Sequence, residues 1–133
     1  MDKMTQFLND HSLKGKTVWI TGGKRIGQEI AAALAELGAD LVITYRSSEK
    51  EAQDVVERVR QYGNRTMVVQ TDVSSRESVA EAVKAIEKEF GKLDILILLA
   101  SIFKPVKFEE ITEKDWDANF SVHVKGTFWP MQL

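Results

Sequence analysis

The chain has 133 residues, 44% of them hydrophobic and 29% charged, with a formal net charge of -2 at pH 7. That size allows one domain with its own core, and the near-neutral balance argues against nucleic acid as the main partner, because phosphate backbones are met by clustered Lys and Arg. The absence of cysteine excludes disulfides and thiolate metal sites, His11 and His123 alone make no metal cluster, and the longest apolar run, Ile95 to Ala100, is far below the ~20 residues of a membrane helix. The first residues lack the apolar core of a signal peptide, so a cytoplasmic protein without a membrane segment is the expectation.

Residues 1–13 read as a short amphipathic lead-in to a single domain spanning 1–133. The first strand is Thr17–Thr21, a near-continuous apolar run of the kind covered on both faces in a parallel sheet. A glycine turn over Gly22–Gly27 leads into a helix with Ile26, Ile30, Ala33, Leu34 and Leu37 at helical spacing, closed by Gly38. Asp40 to Tyr45 is the second strand. Ser48-x-x-Glu51 then reads as a capping box opening a helix that buries Ala52, Val55, Val56, Val59 and Tyr62 and ends at Gly63. The third strand is Arg65 to Gln70. A second capping box, Ser74-x-x-Glu77, opens a helix with Val79, Ala82, Val83, Ile86 and Phe90 on one face, closed by Gly91. The fourth strand, 93–100, is the most apolar stretch of all. After a loop from Ile102 to Ile111, Thr112 caps a helix through Trp116 and Phe120, and the segment from Val122 to Trp129 begins another.

Strands alternating with crossover helices predict an α/β fold, a Rossmann-like, doubly wound parallel sheet in the order 3-2-1-4 with helices on both faces. A glycine turn between strand and helix is a place for phosphates, where free backbone N–H groups meet the positive end of the helix dipole. The same glycines also serve ordinary strand-to-helix turns.

Thr21-Gly22-Gly23-Lys24-Arg25-Ile26-Gly27, Asp72-Val73, Leu93-Asp94-Ile95-Leu96, Ala100-Ser101 and Val124-Lys125-Gly126-Thr127 together resemble the short-chain dehydrogenase/reductase family, over the chain from Leu13 to Leu133. The Lys-Arg-Ile-Gly form of the loop is most similar to the pteridine-reductase-like branch, with 3-oxoacyl-carrier-protein reductases as the next comparison. The resemblance implies a cofactor-binding half for NADP(H) and a carbonyl or pteridine-type substrate. It places the pyrophosphate at Gly22, Gly23, Lys24, Arg25, Ile26 and Gly27. The adenosine ribose falls at Tyr45, Arg46 and Ser47, the adenine at Asp72 and Val73, and the end of the fourth strand at Ala100 and Ser101. No acid stands between Tyr45 and Ser48, and Arg46 with Lys24 or Arg25 suits the 2′-phosphate, which favours NADP over NAD.

The sequence departs from the family pattern in four ways. The glycine loop is one residue shorter than Thr-Gly-x-x-x-Gly-x-Gly, with Arg25 near the middle glycine. Leu98 and Leu99 replace two asparagines, so polar groups they would have met are expected to be left unsatisfied. His123 replaces an Asn of the family's proton relay. The family's catalytic Ser and Tyr-x-x-x-Lys are absent from these residues: Tyr45 and Tyr62 are followed four positions later by Glu49 and Thr66. The chain alone is therefore expected to be inactive, with no catalytic residue of its own. Two readings stand: half of such a reductase, truncated, or a non-catalytic remnant that binds nucleotide weakly or not at all. With strand 93–100 at a sheet edge, a homodimer or higher oligomer through that strand is expected.

Overall fold

A computed structural model describes residues 2–10, 12–22 and 24–133. The elements run α1 (Lys3–Asp10), β1 (Thr17–Thr21), α2 (Ile26–Glu36), β2 (Asp40–Tyr45), α3 (Glu49–Val59), β3 (Thr66–Gln70), α4 (Arg76–Phe90), β4 (Ile95–Leu98), α5 (Glu113–Phe120) and α6 (Gly126–Gln132). A π-helical turn, Ser121–Lys125, joins α5 to α6 with helical backbone on both sides. None of the described residues forms a helix long and apolar enough to cross a membrane.

The four strands make one parallel sheet in the order β3-β2-β1-β4, as the alternating pattern predicts. Its two faces are covered by two separate apolar clusters. On one, Val18, Ile20, Leu41 and Ile43 meet Ala31, Ala32 and Ala35 of α2 and Ala52, Val55 and Val59 of α3. On the other, Trp19 and Val42 meet Val79, Ala82, Ile86 and Phe90 of α4. The alternation follows from the strand period, which sends successive side chains to opposite faces. Trp19 is fully buried, and its indole Nε1 donates to Thr44 Oγ1 at 3.1 Å, which removes the cost of burying a lone donor. At the edge of β2 and β3, Arg65 forks onto the Asp40 carboxylate at 2.8 and 3.0 Å and stacks over the Phe90 ring at 4.7 Å.

Several local expectations need correction. In α2, Ile26 is 69% exposed and Ala33 is exposed, while Gly27, Ala31, Ala32 and Ala35 are buried. The helix lies on the sheet by its small residues, and the larger Ile30 and Leu34 pack at the flank. Neither early capping box forms. Ser48 makes no side-chain cap, and α4 is capped one residue late, by Ser75 accepting from Ser78 N at 3.2 Å. Ser74 is drawn instead to Asp72, to which its hydroxyl and backbone N–H donate at 2.5 and 2.9 Å. The third cap is as expected: Thr112 and Asp115 form a reciprocal capping box on α5. β3 begins at Thr66 and β4 spans only Ile95–Leu98, and Tyr62 is exposed. Gly38, Gly63 and Gly91 follow their helices with φ of 96°, 74° and 71°, the left-handed C′ conformation expected of them.

Candidate nucleotide site

The carboxyl ends of the strands are tied together by short bonds. Gly22 N donates to Thr44 O at 3.1 Å, and Thr71 N to Tyr45 O at 2.7 Å. Thr21 Oγ1 accepts from Leu99 N and Ala100 N at 3.2 and 3.3 Å. Gly22 has φ 80°, and a Cβ there would stand 2.8 Å from Ala100 Cα and N. Gly27 is equally confined, since a Cβ would stand 2.7 Å from Gly22 O. Glycine at these two positions lets the turn close against both α2 and the chain leaving β4.

Above this floor opens a cleft of about 680 Å³ at the switch point between β1 and β4. Gly22, Lys24, Arg25, Ile26 and Gly27 line it on one side, Tyr45, Arg46 and Ser47 on another, Asp72 and Val73 on a third, and Ala100 and Ser101 at the end of β4. These twelve sequence-predicted residues thus meet in one cleft; the thirteenth, Gly23, lies outside the described residues, as does His11.

The glycine turn carries one strained residue among those described. Arg25 has φ 48° and ψ -104°, a combination L side chains rarely adopt. α2 starts at once behind it, with no side-chain cap on its first N–H groups. Gly27 N and Gln28 N are taken up instead by Lys24 O and Arg25 O at 2.9 and 3.0 Å, so the turn itself bonds the start of the helix.

Two of the three cations lining the cleft, Arg46 and Lys24, are matched with a carboxylate. Arg46 Nε lies 3.8 Å from Asp72 Oδ2, and Lys24 Nζ lies 3.4 Å from Glu51 Oε1. Burial alone would push the Asp72 carboxyl up; the Ser74 bonds and the Arg46 charge outweigh it and hold the group below the ordinary aspartate range. Glu51 is also held low, chiefly by a bond from its own backbone N–H and then by Lys24. Sequence reading assigned Glu51 to a helix cap and so missed it as a wall of the cleft. Thr44, Leu99, Ile102, Phe103 and Val122 were missed as well. Ile102, Phe103 and Val122 are apolar and carried no chemical signal, Thr44 lies within a strand, and Leu99 stood out only as the replacement of an asparagine.

Among the described residues, Leu98 and Leu99 leave no buried side-chain polar atom beside them without a partner. Among the described residues, the buried side-chain polar atom without a partner is Thr17 Oγ1, at the opposite end of β1. Leu99 instead packs against the core cluster under α2. His123 sits in the π-helical turn: its Nε2 accepts from Ile102 N at 3.4 Å while Nδ1 lies 3.1 Å from Asn119 O. An Nδ1–H tautomer satisfies both contacts and holds the loop after β4 against the helix.

The sequence profile described as short chain dehydrogenase matches residues 16–133. A hydroxynaphthalene reductase-like protein of Metarhizium brunneum is 37% identical over 124 residues, which are 91% of this chain and 46% of that protein. A dehydrogenase/reductase from Sinorhizobium meliloti superposes with a TM-score of 0.89 at 33% identity, over 96% of this chain and 51% of that one. A short chain dehydrogenase from Burkholderia cenocepacia, solved in complex with NADP, superposes with a TM-score of 0.85 at 39% identity, over 90% of this chain and 49% of that one. The chain spans about half the length of these relatives.

Proposed function

The chain belongs to the short-chain dehydrogenase family, and from that premise we propose that it forms the NADP(H)-binding half of a reductase acting on a carbonyl or pteridine-type substrate. The observation that carries this reading is the convergence of the glycine turn, Arg46, Asp72 and Ala100-Ser101 on one cleft at the carboxyl ends of the strands. The chemistry of the lining fits the cofactor. The start of α2 beside the turn presents the positive end of its dipole to a pyrophosphate, Arg46 and Lys24 offer charged donors to a 2′-phosphate, and the Asp72 carboxylate can accept from an adenine amino group. Bound there, the nicotinamide would supply hydride. This chain's own residues bind and orient the dinucleotide, and with no Tyr-x-x-x-Lys among them they move no proton to a substrate.

Calorimetric titration tests the reading. NADPH is expected to bind in the micromolar range and more tightly than NADH, and generic carbonyls are expected not to turn over on this chain alone. An absence of NADPH binding at millimolar concentration, or a clear preference for NADH, would overturn it. The reading includes a cytoplasmic location, supported by a cysteine-free sequence that suits a reducing interior.

A second reading, self-association, is favoured by one observation. β4 has a strand partner on one side only, and the nearby Phe103, Phe108, Trp116 and Phe120 are exposed. A homodimer or higher oligomer paired through 93–100 would cover that edge. Sedimentation at micromolar concentration is expected to show an assembly larger than the monomer; a monodisperse monomer would contradict it.

A further inference from the structure

We propose that Glu51 is a specificity-determining residue of this site, an internal carboxylate that engages Lys24 in place of a 2′-phosphate and so narrows the discrimination between NADPH and NADH. The inference rests on the nucleotide-binding reading above. Seen from the sequence, the ribose end of the cleft carries Lys24, Arg25 and Arg46 and no acid between Tyr45 and Ser48. Folding changes that balance. The first turn of α3 brings Glu51 into the cleft wall, 3.4 Å from Lys24 Nζ, while Arg46 already faces Asp72 at 3.8 Å. A 2′-phosphate, with about -1.5 to -2 charges at pH 7, thus meets Lys24 and Arg46 already partnered, with Arg25 as the further cation of the lining.

The two carboxylates differ in how firmly they are held. Asp72 is fixed by two bonds from Ser74, and its backbone N–H donates to Ser78 Oγ at 2.9 Å. Glu51 is tied by its own backbone N–H and by an ion pair whose Lys24 side chain is 60% exposed. An exposed pair of this kind is worth little and is readily exchanged. Glu51 is therefore the group that yields when phosphate arrives, and its charge is the one that opposes the phosphate until it does. A dinucleotide without the phosphate meets no such opposition, and its ribose hydroxyls can donate to a carboxylate.

The test is a double-mutant titration of NADPH and NADH against the unaltered chain, Glu51→Gln, Lys24→Gln and the double variant, with thermal melts as folding controls. Glu51→Gln is expected to tighten NADPH by about fivefold, the upper range of an exposed ion pair, without tightening NADH. The gain is expected to vanish in the Lys24→Gln background and to shrink at high ionic strength. Glu51→Ser reads out the same gain if Glu51→Gln melts early. NADPH affinity unchanged by both Glu51 variants, or NADH tightened equally, overturns the role of Glu51 while leaving the nucleotide site intact. NADPH binding by Glu51→Gln alone supports it. No NADPH binding by any of the variants overturns the nucleotide reading, and this inference with it.

Discussion

β1 and β4 lie side by side in the sheet, and Trp19 is paired in register with Leu96. Every residue of β1 is buried, whereas every residue of β4 is only half-buried. Composition does not explain the difference, for β4 is the more apolar of the two. Neighbours explain it: β1 has strands on both sides and helices above and below, and β4 has β1 on one side only. Burial is conferred by what surrounds a strand, and hydrophobicity states only what the strand can tolerate. β4 and the helix beyond it carry more apolar surface than these residues cover.

The sharpest way to test that contrast is a pair of truncations at one level of the sheet. Trp19→Ala is expected to cost about 3–5 kcal/mol, chiefly through the cavity, with the Thr44 hydroxyl left only its bond to Ile20 O at 3.5 Å. Leu96→Ala, half-buried, is expected to cost about 1 kcal/mol. Urea denaturation followed by circular dichroism compares them, and equal costs would break the contrast. Gly22→Ala acts where the two strands are joined. The added Cβ would meet Ala100 at 2.8 Å in a backbone conformation with φ 80°. The expected loss is about 1–3 kcal/mol, together with nucleotide binding.

Acid addresses three carboxylates, before β4, after β3 and in the first turn of α5. Asp94 accepts from Thr17 N at 2.8 Å, and this bond, followed by Lys92, holds its carboxyl below the ordinary range. Asp115 is lowered chiefly by the Thr112 hydroxyl, and Asp72 is held low against its burial. Carboxyls depressed in the folded state contribute stability that is full above the unfolded pKa of about 3.9 and is lost as pH falls through the folded values. Denaturant midpoints are therefore expected to be level from pH 7 to 5 and to drop below pH 4. The smallest effect on stability belongs to Leu98→Lys at the open edge, about 0.5 kcal/mol or less, with a marked loss of self-association by sedimentation.

Much of the fold was legible because it depends on period and punctuation. Strand order followed from the alternation of apolar runs and helices, and three helix ends followed from Gly38, Gly63 and Gly91. The errors share a physical cause. Ser74 and Glu51 fit a capping pattern, but Asp72, two residues before Ser74, and Lys24, from the turn before α2, competed for their side chains. The buried face of α2 was misjudged because close approach to a sheet favours alanine and glycine over the larger residues that periodicity weights. The candidate site was legible as a set of positions, since the resemblance named residues from four separate stretches. Its charge balance was not legible, because Glu51 reaches the cleft only through the packing of α3 beside α2.

Backbone amide resonances followed during NADPH titration report where the dinucleotide sits. Saturable shifts are expected at Gly22, Lys24 to Gly27, Arg46 to Ser48, Asp72 and Val73, and Ala100 and Ser101, with the outer face of α4 unmoved. Shifts confined to Trp116 through Met131, or none at millimolar NADPH, would contradict that placement.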